Sequence, residues 1–145
     1  TIKSRCLETK VIVNNETKLK ILYYLIDFYN QELVLDSKTL NLSPGNFIKF
    51  NYIFSKHNID MNNPFLDNLK ILMNIYKKEK DIFYKDLLIF FTEYYINRLK
   101  KENLSNYEKF INNRLFIIKI INDFFIYKLN QNTLINSIEH KLNNE

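Results

Sequence analysis

Residues able to do chemistry are scarce in this chain, and they gather at its start. Thr1-Ile2-Lys3-Ser4-Arg5-Cys6 sets an arginine between a hydroxyl and a thiol, just before a short β-branched stretch. A guanidinium is permanently charged and offers its donors as a planar fork, which matches phosphate oxygens and the charge that develops on a transferring phosphoryl group. Beside Ser4 and Cys6 and held at the lip of a sheet, Arg5 is suited to reach a phosphate on a neighbouring subunit; the alternative is a surface arginine in a frayed terminus.

Other chemistries lack material. Cys6, His57 and His140 are the only soft metal ligands, they fall on three separate segments, and neither His-x-x-x-His nor Cys-x-x-Cys spacing occurs. No metal site is expected from them. The chain has a single glycine, Gly45. That excludes the P-loop, the dinucleotide fingerprint and the nucleophile elbow, each of which needs at least two backbone positions free of Cβ. Among 16 acidic residues no pair is set apart in an apolar context that would suit acid–base work. Lys77, Lys78, Lys80, Arg98, Lys100 and Lys101 form a candidate basic patch, for which a solvated helix face is the expected explanation. The Phe and Tyr stripes recur at helical spacing and read as core.

Composition sets the frame. With 145 residues, 46% of them hydrophobic and 15% aromatic, the chain has ample apolar material for a core and length for one domain or two small ones. The 22 Asn, 18 Lys and 20 Ile beside no Ala are what an AT-rich coding sequence produces, so Lys and Asn counts carry little information about binding. A net charge of +5 arises from 21 basic and 16 acidic side chains without a run of like charges, a weak hint of an acidic partner. One cysteine excludes a disulfide framework, no apolar run approaches the ~18 residues of a membrane span, and no signal-peptide pattern is present. A cytoplasmic location with no membrane partner is the expectation.

The elements follow from hydrophobic spacing. Residues 7–13 alternate and are β-branched, a strand signal with no second strand to pair with. The expectation is the C-terminal piece of a longer chain whose sheet lies upstream, or else a loose or swapped end. From Asn14 the period becomes helical: a helix to about Gln31 presents Leu19, Leu22, Tyr23 and Ile26, widened by Ile21, Leu25 and Phe28. A short turn is expected over residues 36–40. Ser43-Pro44 reads as N-cap and first helical residue of a helix to about His57, with Phe47, Phe50 and Phe54 on one face.

The Asn-rich residues 58–63 are the candidate domain boundary. Beyond it a helix buries Phe65, Leu69, Leu72, Met73 and Tyr76 and exposes Asp67, Lys70, Asn74 and Lys77. Residues 77–81 form a hinge or solvated turn, and Phe83, Leu87, Phe90 and Tyr94 mark the next helix. Ser105-x-x-Glu108 is a capping box opening a helix roughly 35–40 Å long, with Ile111, Leu115, Ile118, Ile121, Phe125 and Leu129 on its face. After an interruption at residues 130–132, Leu134, Ile135, Ile138 and Leu142 make the last helix. The expected fold is all-α with one residual N-terminal β segment, divided as residues 1–13, 14–60 and 61–145.

T-I-K-S-R-C before a β segment, then Ser43-Pro44-Gly45 at a helix start, then an all-helical remainder resembles the clamp-loader subunits of bacterial DNA polymerase III, and among them the delta-prime family. The residues from Asn132 to His140 are similar to its final collar helix. The resemblance implies the end of an AAA+ core (residues 1–13), a helical lid (14–60) and a helical-bundle collar (61–145). It implies that Arg5 is an arginine finger acting in trans on ATP of an adjacent gamma or tau subunit, with Ser4 and Cys6 supporting it. Ser43, Pro44 and Gly45 form the lid motif. Gly45 falls where ATP-hydrolysing subunits carry a sensor arginine, which implies a lid that does not read nucleotide, although Asn41-Leu42 departs from the A-G that usually precedes the motif. The implied partners are gamma/tau and delta subunits through the collar, with the sliding clamp and primer–template DNA contacted indirectly. No cofactor is implied for this segment, any zinc module lying upstream. A gamma- or tau-type subunit and an unrelated Bcl-2-like helical adaptor are the alternatives.

Overall fold

The computed structural model describes residues 13–36, 42–102 and 107–143. Within them the chain forms α1 (Asn15–Phe28), α2 (Pro44–Lys56), α3 (Phe65–Glu79), α4 (Phe83–Glu102), α5 (Tyr107–Tyr127) and α6 (Gln131–Asn143). No strand occurs among the described residues. The expected β segment lies outside them except for Val13, as do the turn at 36–40 except for Asp36, and the capping Ser105. The helices divide into two compact units, Thr1–His57 and Asn58–Glu145.

In the first unit α1 packs against α2. Asn14 caps α1 by accepting the Thr17 N–H at 2.8 Å, which satisfies one of the donors every helix start leaves orphaned. The helix stops at Phe28, three residues short of the expected end, because Tyr29 and Asn30 close it with bonds back to Leu25 and Asp27 while Asn30 turns left-handed (φ 47). Ser43 caps α2 by accepting the Asn46 N–H, and Pro44 occupies the first helical position, where its missing donor costs nothing. Phe47, Phe50 and Phe54 are all buried, with Leu22 and Leu35. The α1 face is narrower than expected: Leu22 is buried, whereas Ile21, Tyr23 and Phe28 are exposed. One neighbouring helix covers only a stripe of α1, and the rest of its apolar surface faces outward.

The second unit is a closed four-helix arrangement in which α3 packs on α4, α4 on α5, α5 on α6, and α6 back on α3. Ring contacts fix the running directions. Phe65 at the start of α3 stacks on Phe91 and meets Tyr95 at a tilt, both past the first two turns of α4, while Tyr76 late in α3 meets Tyr84 early in α4 and Phe124 and Phe125 late in α5. The face of α3 divides as its spacing predicts, Phe65, Leu69, Leu72 and Met73 being buried and Asp67, Lys70, Asn74 and Lys77 exposed. Tyr84, Leu87, Leu88, Phe91, Thr92 and Ile96 of α4 are buried, a wide apolar sector suited to a helix between two neighbours.

Two expectations are corrected here. Residues 77–79 continue α3 instead of forming a hinge, and the turn begins at Lys80, whose left-handed backbone (φ 54) donates its N–H to the Tyr76 carbonyl at 2.7 Å. Of the residues expected on the α5 face Ile121 is buried, together with Asn113, Ile117 and Phe124, whereas Leu115 is exposed and Leu129 lies exposed beyond the helix end. Glu108, Asn112, Lys119 and Asp123 recur on one side of α5 with Ile117 and Ile121 opposite, and the expected set lay toward one edge of that wide apolar sector. The described helix has 21 residues, about 31 Å at the standard rise, and ends before Lys128 turns left-handed (φ 51).

Candidate functional site

Two of the expected site elements have different standing. Ser4, Arg5 and Cys6 lie outside the described residues. Ser43, Pro44 and Gly45 lie inside them and open α2, as N-cap and the first two helical residues. Gly45 is exposed and a Cβ built on it would meet no heavy atom within 4 Å. The glycine is therefore not forced by packing, and a side chain at this position would extend into open space.

That space is an open groove of about 790 Å³ along the first unit, bordered by Gly45. Leu25, Tyr29, Ile48 and Tyr52 give it apolar surface, while Gln31, Glu32 and Lys49 supply polar groups. One buried side chain shapes its edge. Asn51 is fully buried in α2, and its Oδ1 accepts the N–H groups of Val34 (2.9 Å) and Leu35 (3.2 Å), while its Nδ2 donates to the Glu32 carbonyl (2.7 Å) and Gln31 Oε1 (3.2 Å). All the capacity of this amide is spent on the segment after α1. Without regular structure of its own, that segment would otherwise leave backbone donors unmatched against a core. Asn51 stands four residues after Phe47 and three before Phe54, so the helical period already places it on the core face.

The second unit carries two comparable pins and one buried phenol. Asn68 Nδ2 donates to the Asp60 carbonyl at 2.7 Å, and Arg98 donates to the Met61 carbonyl while its guanidinium lies over the Tyr95 ring. Tyr84 donates its hydroxyl to Glu79 Oε2 at 2.5 Å. Burial first, then the Glu79 acceptor and the charges of Glu79 and Asp81, push the Tyr84 hydroxyl well above the usual phenol range.

Of the candidate basic patch, the side chains of Lys100 and Lys101 lie outside the described residues, and the other four fall at two separate places. Arg98 is turned onto Met61 and Tyr95, and it stands 15 residues along α4 from Phe83, about 22 Å at the standard helical rise. Lys77, Lys78 and Lys80 are exposed at the end of α3. His57 closes α2 with its backbone N–H on the Ile53 carbonyl, and His140 is exposed near the end of α6. Among the described residues no group of three or more His, Cys, Asp or Glu side chains could hold a metal ion. None of the described helices is long and apolar enough to cross a membrane.

No family model, curated protein or solved structure matches this chain. Its site is read from its own residues: the Ser43-Pro44-Gly45 helix start beside a groove that offers apolar contact and hydrogen bonds.

Proposed function

We propose that this chain is the C-terminal part of a delta-prime-type subunit of a bacterial polymerase III clamp loader. Residues 1–13 end an AAA+ core with its last strand, the first helical unit is the lid, and the second is the collar that joins gamma/tau and delta subunits in a cytoplasmic ring. The ring places the sliding clamp on primer–template DNA. Arg5, supported by Ser4 and Cys6, acts on ATP held by the neighbouring subunit, and the segment holds no cofactor of its own.

The observation that carries the reading is the order of two motifs, S-R-C before the first helix and Ser43-Pro44-Gly45 at the start of α2. Supporting it, Ser43 caps that helix and Gly45 brings no side chain to the groove beside it, as expected of a lid that does not sense nucleotide. The division into a two-helix and a four-helix unit is compatible with a lid followed by a collar.

Replacing Arg5 by Ala in the full-length subunit tests the proposal. The reconstituted loader is expected to lose at least tenfold in ATP turnover, since arginine fingers contribute on the order of 10³-fold or more to phosphoryl transfer, while assembly with gamma/tau and delta subunits continues. Unchanged turnover overturns the role of Arg5, and failure of the unaltered chain to enter the ring overturns the whole reading.

A further inference from the structure

The outward side of α1 is built like an interface. Leu22 faces the core at 5% exposure. At about 100° per residue the side opposite it carries Thr17, Lys20, Tyr24, Asp27 and Phe28, and all five are exposed. Tyr24 and Phe28 are each 66% exposed and stack on one another at 6.1 Å, and Phe28 meets Tyr29 edge-on at 5.1 Å. Ile21 and Tyr23 flank them, also exposed. A surface helix on a soluble protein ordinarily turns charge outward, and one that is apolar all round is covered on more than one side.

We propose that a second copy of this chain covers it, the two α1 helices pairing antiparallel about a two-fold axis that passes between Tyr23 and Tyr24. The charges argue for this occupant. Lys20 and Asp27 are equidistant from that axis and lie on the same outward side, so antiparallel pairing sets Lys20 of each copy opposite Asp27 of the other. The same operation places Ile21 near Phe28 of the second copy and brings the tyrosines together at the centre. Lys20 already touches Glu16 of its own helix at 2.7 Å, but both side chains are about three-quarters exposed, and such pairs contribute little and leave ammonium donors to spare. A parallel pairing instead aligns each charge with its own like.

The size of the surface sets the strength. At roughly 200 Å² for a whole aromatic side chain, the exposed fractions of Tyr23, Tyr24, Phe28 and Tyr29 with Ile21 amount to about 500 Å² per copy. That is at the upper end of the largest apolar patch on a typical monomer and, at about 1,000 Å² for the pair, below the standard size of specific interfaces, so a weak dimer is expected. The proposal concerns the first unit alone and stands independently of the clamp-loader reading.

The test is a pair of charge reversals followed by sedimentation equilibrium of the full chain, with circular dichroism confirming that each variant remains helical. Lys20→Glu alone and Asp27→Lys alone each turn both cross-pairs repulsive and are expected to weaken self-association at least tenfold. An equimolar mixture of the two restores both attractive pairs and is expected to dimerise as the unaltered chain does. Tyr24→Glu is expected to abolish association, with or without the mixture. A chain that stays monomeric at several hundred micromolar, or variants that dimerise unchanged, or a mixture that does not recover, overturns the proposal.

Discussion

Asn51 shows how much one side chain can fix. It satisfies two backbone donors and one backbone acceptor of a segment that has no helix of its own. Replacing it with Leu keeps the volume but strands those groups beside the core, so the first unit is expected to lose about 2–4 kcal/mol, read as a lowered urea midpoint for that unit with the second unaffected. Tyr84 makes a prediction of the opposite kind, about pH. Its folded-state pKa is raised, so the native protein holds a proton that the unfolded chain releases near pH 10. The stability it contributes is complete below that pH and declines as pH rises through the raised value. Tyr84→Phe is expected to cost about 1–2 kcal/mol at neutral pH through the lost bond to Glu79, and to narrow its gap from the unaltered protein above about pH 10 in urea titrations.

The helices end where glycine would ordinarily serve. Asn30, Asn58, Lys80 and Lys128 all adopt positive φ, while the one glycine sits inside α2 with ordinary dihedrals. Asparagine tolerates that conformation, but a lysine pays the crowding of its Cβ against the backbone. Lys80→Gly and Lys128→Gly are each expected to raise stability of the second unit by about 1 kcal/mol, measured as an upward shift of its melting temperature. Gly45→Ala is expected to add about 0.5–1 kcal/mol to the first unit, because nothing stands where the methyl group would go. Sequence bias explains the placement: a chain so poor in glycine leaves its left-handed positions to whatever residues are abundant.

Across the whole molecule, legibility differed from helix to helix. The start of α2 and both faces of α3 were readable, because Ser43-Pro44 is a local stereochemical signal and because Asp67, Lys70, Asn74 and Lys77 mark which side of α3 is wet. On α5 Glu108, Asn112, Lys119 and Asp123 mark the polar side and Ile117 and Ile121 are buried opposite it; the expected set held Ile121 but missed Ile117 and took in Leu115 and Leu129, which are exposed. The groove beside Gly45 was not readable at all, since its walls come from the end of α1, the segment after it and α2. Asn51, which holds that edge, was hidden among 22 asparagines whose abundance has a genomic cause.

That clasp has a kinetic signature. The Leu35 amide sits in an irregular stretch, where backbone N–H groups ordinarily trade their hydrogen for deuterium within moments, yet it is buried and bound to the interior Asn51 oxygen. It can exchange only when α2 and the segment before it separate, so in heavy water this one loop amide should keep pace with the slowest helical amides of the first unit and serve as a gauge of that unit's opening.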